Sequence, residues 1–359
     1  MSGRQRAPAG QCRGKVQLPL TAWISSEEMD STDQKLVNLI SADPRMHLNE
    51  IAQRLGISKQ AVHHRMRALR ERGALMGTKA GISFAYLNAI PVAVFGRSNA
   101  TCAEEVMDKL GESEFTRRVI VAGGNYLYVV GELRAISELD KYAEFVRRTA
   151  EMPEPVVGIY CLENVPMPDY HVDGINPRKK SYRPLTDLDM RIIASLKDDA
   201  RKPIADIVDE AGASAKTVKR HLDSMIADGS IELDAVQDAP IGGHLLSIMH
   251  IDLSDGAHKD EVARRLLSSH RSLDAYIRTF SNLPRFLAMV FWSGSMTEMR
   301  SVLRDVGKDE AVRSAVMNVG CFERIYYCTW RDALLDDWMR QHGKSGTRGH
   351  GLMPGTQRA

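Results

Sequence analysis

Lys59, Gln60, His63, His64, Arg67 and Arg70 line one side of a helix predicted by the spacing of Val62, Met66 and Leu69, which take the other side. Side chains of these types donate to phosphate oxygens, and Arg and Gln also suit guanine and adenine edges in a major groove. The chemistry is therefore recognition of a polyanion. A charged stripe of this kind is ordinarily a solvated helix face. Its setting argues otherwise, because residues 44–80 carry eight Arg or Lys against two acids, Glu50 and Glu71. Local excess of this kind is the electrostatic footprint of a DNA contact, whereas the net charge of +2 over the whole chain says little.

The elements that must hold this stripe are three short amphipathic helices. Leu36, Leu39 and Ile40 mark the first, Leu48, Ile51, Ala52 and Leu55 the second, and Val62, Met66 and Leu69 the third. Asp43 and Pro44 separate the first two, Gly56 permits a tight turn, Ser58 is placed to cap the third helix, and Gly73 to stop it. A capped helix after a glycine turn is the helix-turn-helix pattern, whose second member enters the major groove. Ser58 joins the six stripe residues as a candidate DNA contact.

The unit occurs twice. Asp33/Asp189, Arg45/Arg201, Ile51/Ile207, Gly56/Gly212, Ser58/Ser214, Val62/Val218 and Gly73/Gly229 match at one constant offset of 156, without a gap. The second copy offers Lys216, Thr217, Lys219, Arg220 and His221 as candidate contacts. Its residues 200–236, however, hold five bases against seven acids. Electrostatic affinity grows with the number of phosphates neutralised, so weaker DNA binding is expected of this copy.

Each helical triplet is followed by strand-like and helix-like stretches in the order βαββαβ: residues 89–95, 103–110, 118–122, 126–131, 136–148 and 156–162, then 244–251, 259–267, 273–279, 286–292, 296–306 and 316–327. The expected fold class is α+β, as two copies of a winged helix-turn-helix plus a ferredoxin-like domain. The expected map is a tail (1–28), helix-turn-helix (29–80), ferredoxin-like domain (81–165), Pro-rich linker (166–184), helix-turn-helix (185–236), ferredoxin-like domain (237–335) and tail (336–359).

A helix-turn-helix followed by βαββαβ resembles the Lrp/AsnC family of transcription regulators. The resemblance is carried by Asp30-Ser31-Thr32-Asp33 and Thr186-Asp187-Leu188-Asp189, by the turns Gly56-Ile57-Ser58 and Gly212-Ala213-Ser214, and by Gly73 and Gly229. It implies pairing through the α+β domains, further homo-oligomerisation, double-stranded DNA as partner and an amino-acid effector held at a glycine turn between the second and third strands. Gly123, Gly124, Asn125 and Tyr126 are the candidate effector residues, although Leu127 stands where the family has an acid. Read without the family, they form a hairpin turn. The second copy has Asn282-Leu283-Pro284-Arg285 there, and Pro284 lacks an amide a ligand would need.

Two rival readings share this architecture. Fused siroheme decarboxylases resemble the same family, around a Trp-Pro-Tyr-Asn-Leu stretch; this chain has Leu283-Pro284-Arg285-Phe286-Leu287 and Gly124-Asn125-Tyr126-Leu127, without the Trp or the Asn. No pair of residues has a spacing that demands catalysis: His244 and His250 share a strand face and suit a structural role equally. The other rival is a non-specific architectural DNA-binding protein. Composition, 43% hydrophobic and 26% charged, is that of a folded globular chain and excludes fibrous or disordered classes. No run approaches the roughly 18 apolar residues of a membrane span, so a cytoplasmic protein without membrane contact is expected. Five scattered cysteines imply free thiols and neither a structural metal nor a cofactor. Cys161 and Cys321 are equivalent at an offset of 160, each either a buried small hydrophobe or half of a sensing pair that approaches across the interface.

Overall fold

The computed structural model describes residues 30–72, 74–75, 77–161, 182–236, 245–270, 274–327 and 329–342. Both expected tails in large part, most of the linker, the Gly73 stop, Cys12, Cys328 and His244 lie outside them.

In the first copy, Asp30 accepts from the amides of Thr32 and Asp33 to open α1 (Ser31–Ala42). The helix α2 (Leu48–Leu55) ends at Gly56, whose φ of 67° is the left-handed conformation that glycine tolerates. Ser58 then caps α3 (Lys59–Glu71) by accepting from Ala61. The second copy repeats this through α6 (Asp187–Ser195), α7 (Ile204–Ala211) and α8 (Ala215–Asp228), with Gly212 at φ 64° and Ser214 as the cap.

Each triplet continues into one wing strand, β1 (Gly77–Ile82) and β6 (Ile231–Val236). These pair antiparallel with each other, Gly77 opposite Val236 and Ala80 opposite Leu233. Exchanging the two copies by the repeat offset turns Gly77 into Leu233 and Val236 into Ala80, so the first pair maps onto the second and a pseudo-twofold axis passes through the ladder. Arg45 donates to the carbonyls of Ala200 and Lys202, and its equivalent Arg201 to those of Pro44 and Met46. Ala80 and Ile82 are buried in the core of the second triplet, and Ala235 packs on the first. The two helix-turn-helix units are therefore one body, each completed by the other's wing.

The α+β halves follow the expected order: β2 (Ile90–Arg97), α4 (Ala103–Leu110), β3 (Thr116–Ala122), β4 (Tyr126–Leu133), α5 (Leu139–Thr149) and β5 (Val156–Ile159), then β7 (Leu245–Leu253), α9 (Lys259–Ser269), β8 (Asp274–Phe280), β9 (Leu283–Ser293), α10 (Met296–Val306) and β10 (Val312–Ile325). All eight strands join one sheet in the order β5-β2-β4-β3-β10-β7-β9-β8. Alternation along the strands sends Val92, Val94, Val119 and Val129 to one helix layer and Met249, Ile251, Leu287 and Met289 to the other. Phe95, Ile120, Tyr128, Ile248, Phe280 and Val290 face inward between the halves.

The two seams differ. Fourteen-residue β10 pairs with β7 as far as Val319 and from Gly320 onward with β3, a bulge between Gly320 and Phe322 interrupting that second ladder. The four-residue β5 reaches β8 only by the Tyr160–Phe280 bridge. The carboxamide of Asn282 extends that seam, accepting from Ile159 and donating to Val157. Gly158 lies so close to Phe280 that a Cβ would sit 2.3 Å from its ring.

Two expectations about the map are corrected. Residues 336–342 are not tail: α11 (Trp330–His342) buries Leu335 and Trp338 in the core of the second triplet. Its apolar residues are interleaved with acids, so no clean periodicity announces it. The end of the linker is also structured. Tyr182 packs edge-on against Tyr86 at 5.5 Å, and Arg183 pairs with Asp189.

Candidate nucleic-acid interface

On α3, Val62, Met66 and Leu69 are buried, while Ser58, Lys59, Gln60, His63, His64, Arg67 and Arg70 are exposed. The basic excess around them is smaller in space than in sequence. Arg45 is spent on the second copy's carbonyls, Lys79 pairs with Asp332, and Arg65 turns inward to Asp30 and Asp33 at 2.7 and 2.6 Å. What α3 presents is Lys59, Arg67 and Arg70 beside two histidines and a glutamine.

On α8, Lys216, Lys219 and Arg220 are exposed, Lys219 against Asp223 at 2.6 Å. Thr217 is half-buried in the helix cap, its amide held by Ser214. His221 departs from expectation. It occupies the position of Arg65 and binds Asp189 at 2.8 Å, leaving the outward face. A histidine between a lysine-rich stretch and an apolar residue gives no local sign of which way it turns; the matching of Asp33 with Asp189 contained that sign. Burial alone would raise the Asp189 carboxyl. Hydrogen bonds from Arg183, Thr186 and His221 outweigh it and hold the group well below the usual carboxylate range.

The candidate effector turn is a closed hairpin. Gly123, Gly124 and Asn125 form a three-residue turn between Ala122 and its partner Tyr126, with φ of 69° at Gly124 and 58° at Asn125. The Gly123 amide donates to Val319 at 2.9 Å, and the Asn125 carboxamide to the carbonyls of Ser98 and Ala100. Tyr126 points into the barrel, 5.6 Å from His250. The four residues therefore do not converge on a free set of donors, which corrects the expectation of a ready amino-acid cradle within the chain. In the second copy Pro284 falls in the bulged start of β9, where a missing amide is tolerated.

His250 lies among Phe95, Tyr126 and Phe286, with Nε2 2.7 Å from the Tyr128 hydroxyl, which accepts from Asn318 at 2.9 Å. Burial pushes the imidazole down to about 4. It is neutral, so the Tyr128 hydroxyl donates to Nε2 while accepting from Asn318. Cys161 and Cys321 flank opposite seams of the closed sheet, and Cys321 is exposed rather than buried. A thiol pair across one interface is not formed.

A second constellation escaped the sequence. Arg331 of α11 is buried between Glu132 of β4 and Glu232 of β6. Beside it Arg117 meets Asp234 at 3.1 Å, and Lys79 meets Asp332 at 3.1 Å. Burial raises the Glu232 carboxyl to about 7; Arg331 and Arg117 oppose the shift, Asp234 and Glu132 add to it. These residues come from five distant segments, so no spacing could have found them.

Paired helix-turn-helix units with joined wings, carried on paired ferredoxin-like domains, define a tandem winged helix-turn-helix protein. A winged helix-turn-helix DNA-binding family model matches residues 29–75 and again 185–232. The HTH-type transcriptional regulator LrpA of Pyrococcus horikoshii is 33% identical over 100 residues, 28% of this chain and 71% of the relative. Ptr1, a regulator of Methanocaldococcus jannaschii, is 29% identical over 116 residues, 32% and 78% of the two chains. The chain belongs to the Lrp/AsnC family, in a form with duplicated helix-turn-helix units. Among solved structures, the siroheme decarboxylase NirDL superposes with a TM-score of 0.53 at 15% identity, covering 86% of this chain and 99% of that one. That likeness shows a shared fold alone. Among the described residues no helix is long and apolar enough to cross a membrane.

Proposed function

We propose that the chain is a cytoplasmic DNA-binding transcriptional regulator that docks α3 in a major groove, with α8 as the weaker member of the pair. The observation that carries this reading is the exposed face of α3, where Lys59, Gln60, His63, His64, Arg67 and Arg70 stand together on a head whose partner helix is related by the wing axis. Family membership supports it. The α+β halves already pair within one chain, so further assembly joins whole chains, and an effector, where one acts, uses a site other than the occupied turn at Gly123.

Selection of duplexes from a random library tests the reading. The full chain is expected to enrich one asymmetric site over random DNA by roughly 10³ or more. Equal binding to all duplexes would instead identify an architectural protein. The enzyme reading gains no specific support, since the interior His250 is neutral and its Nε2 is bound to the Tyr128 hydroxyl. Absorbance after adding siroheme is expected to show no bound chromophore.

A further inference from the structure

The seven charged groups around Arg331 do not balance. Lys79 of β1, Arg117 of β3 and Arg331 of α11 supply three positive charges. Glu132 of β4, Glu232 and Asp234 of β6 and Asp332 of α11 supply four carboxyls. No side chain in the set is more than 20% exposed. All of them except Glu132 line a cavity of about 20 Å³, room for about one water. An uncompensated charge so placed is costly, as for any buried ion, so the arrangement favours holding one proton among the four acids.

The cluster lies where three bodies meet. β1 and β6 belong to the wing ladder of the head; β3 and β4 belong to the α+β body; α11 packs into the head's core through Leu335 and Trp338 and reaches the body through Trp330 and Arg331. Arg331 donates to the Ile82 carbonyl and Glu232 on the head side and to Glu132 on the body side. Trp330 donates to the Glu132 carbonyl at 2.8 Å, and Lys79 to the Tyr327 carbonyl at 3.2 Å while lying over its ring. Arg117 spans the same gap from the body, reaching Asp234 and the Tyr326 carbonyl.

We propose that α11 is a proton-held clasp between the DNA-binding head and the α+β body: with one proton retained at Glu232 the cluster is neutral and closed, and loss of that proton loosens α11 from both. Glu232 is the holder because it is the carboxyl that shares Arg331 with Glu132 while sitting on the same strand as Asp234, so two acids face it. The sign follows from linkage. A carboxyl whose closed-state affinity for the proton exceeds that of the open state stabilises the closed form at low pH. That contribution declines as pH rises from the ordinary glutamate range through the closed-state value.

The clasp is independent of whether the head binds DNA, and so is its test. In full-length protein labelled with ¹³C at glutamate side-chain carboxyls, one resonance is expected to titrate between pH 6 and 8, and to disappear in Glu232→Gln. Amide exchange of residues 77–82, 231–236 and 330–342, corrected for intrinsic rates, is expected to report an opening constant about 20-fold larger at pH 7.5 than at 5.5 in the wild type. In Glu232→Gln it is expected to be flat within about twofold. No glutamate titrating above pH 6 in the wild-type protein overturns the proton assignment, whatever the variant does. A titrating Glu232 with pH-independent exchange in all three segments overturns the clasp.

Discussion

The two helix-turn-helix units share a frame and differ in surface. Inside, Asp33 and Arg65 tie α3 to α1, and at the same positions Asp189 and His221 tie α8 to α6. Outside, charge is reversed or removed: Arg54 corresponds to Glu210, Arg67 to Asp223 and Arg70 to the 46% exposed Ile226. Duplication preserved what positions a recognition helix and released what it presents. A helix kept for packing needs the first set of residues; a helix kept for phosphate contact needs both.

The largest expected effect concerns the frame. Asp189 is fully buried, with Arg183 and His221 as partners, whereas Asp33 is 10% exposed. Asp189→Asn removes the buried acid that Arg183 and His221 share, leaving Arg183 only the more distant Asp228 at 3.5 Å, and is expected to cost about 3 kcal/mol in urea unfolding. Asp33→Asn should cost less, since Arg65 retains Asp30. The Asp189 carboxyl is held low in the folded state, so its contribution is present above the unfolded-state range and is lost as pH falls through the folded value. Equal costs for the two variants would show that the frames are equivalent despite the histidine.

Next in size is the surface itself. Replacing His64 and Arg67 together by Ala is expected to weaken binding to the selected duplex about 30-fold and to reduce the salt slope by about 1, one phosphate contact fewer. Lys219→Ala with Arg220→Ala should weaken it about threefold. Similar losses from both pairs would break the asymmetry; no loss from the first would remove α3 from the interface.

This contrast also shows what a sequence can carry. The helical triplets, the caps at Ser58 and Ser214, the βαββαβ order and the exposed stripe on α3 are local patterns, set by periodicity within about a dozen residues. The pairing of β1 with β6 is not: Gly77–Ile82 reads GTKAGI, with little β-branched content, and becomes a strand because the other copy's wing supplies its hydrogen bonds. The inward turn of His221, the helix at Trp330–His342 and the Arg331 cluster depend on distant partners, 253 residues apart for Lys79 and Asp332. Matched residues of the repeat were the one long-range signal available. Arg45/Arg201 was visible as such a pair while its reciprocal role was not.

That pair gives a smaller effect. Arg45→Ala and Arg201→Ala each remove charged donors from two carbonyls across the head, and each is expected to cost about 1.5 kcal/mol. The costs should be alike, because the wing axis relates the two sites. Unequal losses would place the asymmetry in the frame as well as in the surface.

The smallest effect is the most discriminating, because it is a gain. Asp223→Arg with Ile226→Arg restores to α8 the charges that α3 carries at Arg67 and Arg70, and releases Lys219 from its pair with Asp223. Both positions are exposed, so stability should change by no more than about 0.5 kcal/mol. If α8 lies along the duplex when α3 is docked, affinity at low salt should rise about fivefold and the salt slope should steepen by one to two contacts. If the axis through β1 and β6 holds α8 away from the duplex, the slope stays unchanged. A steeper slope makes the second unit a reader that lost its charge; an unchanged slope makes it the scaffold on which the first is held.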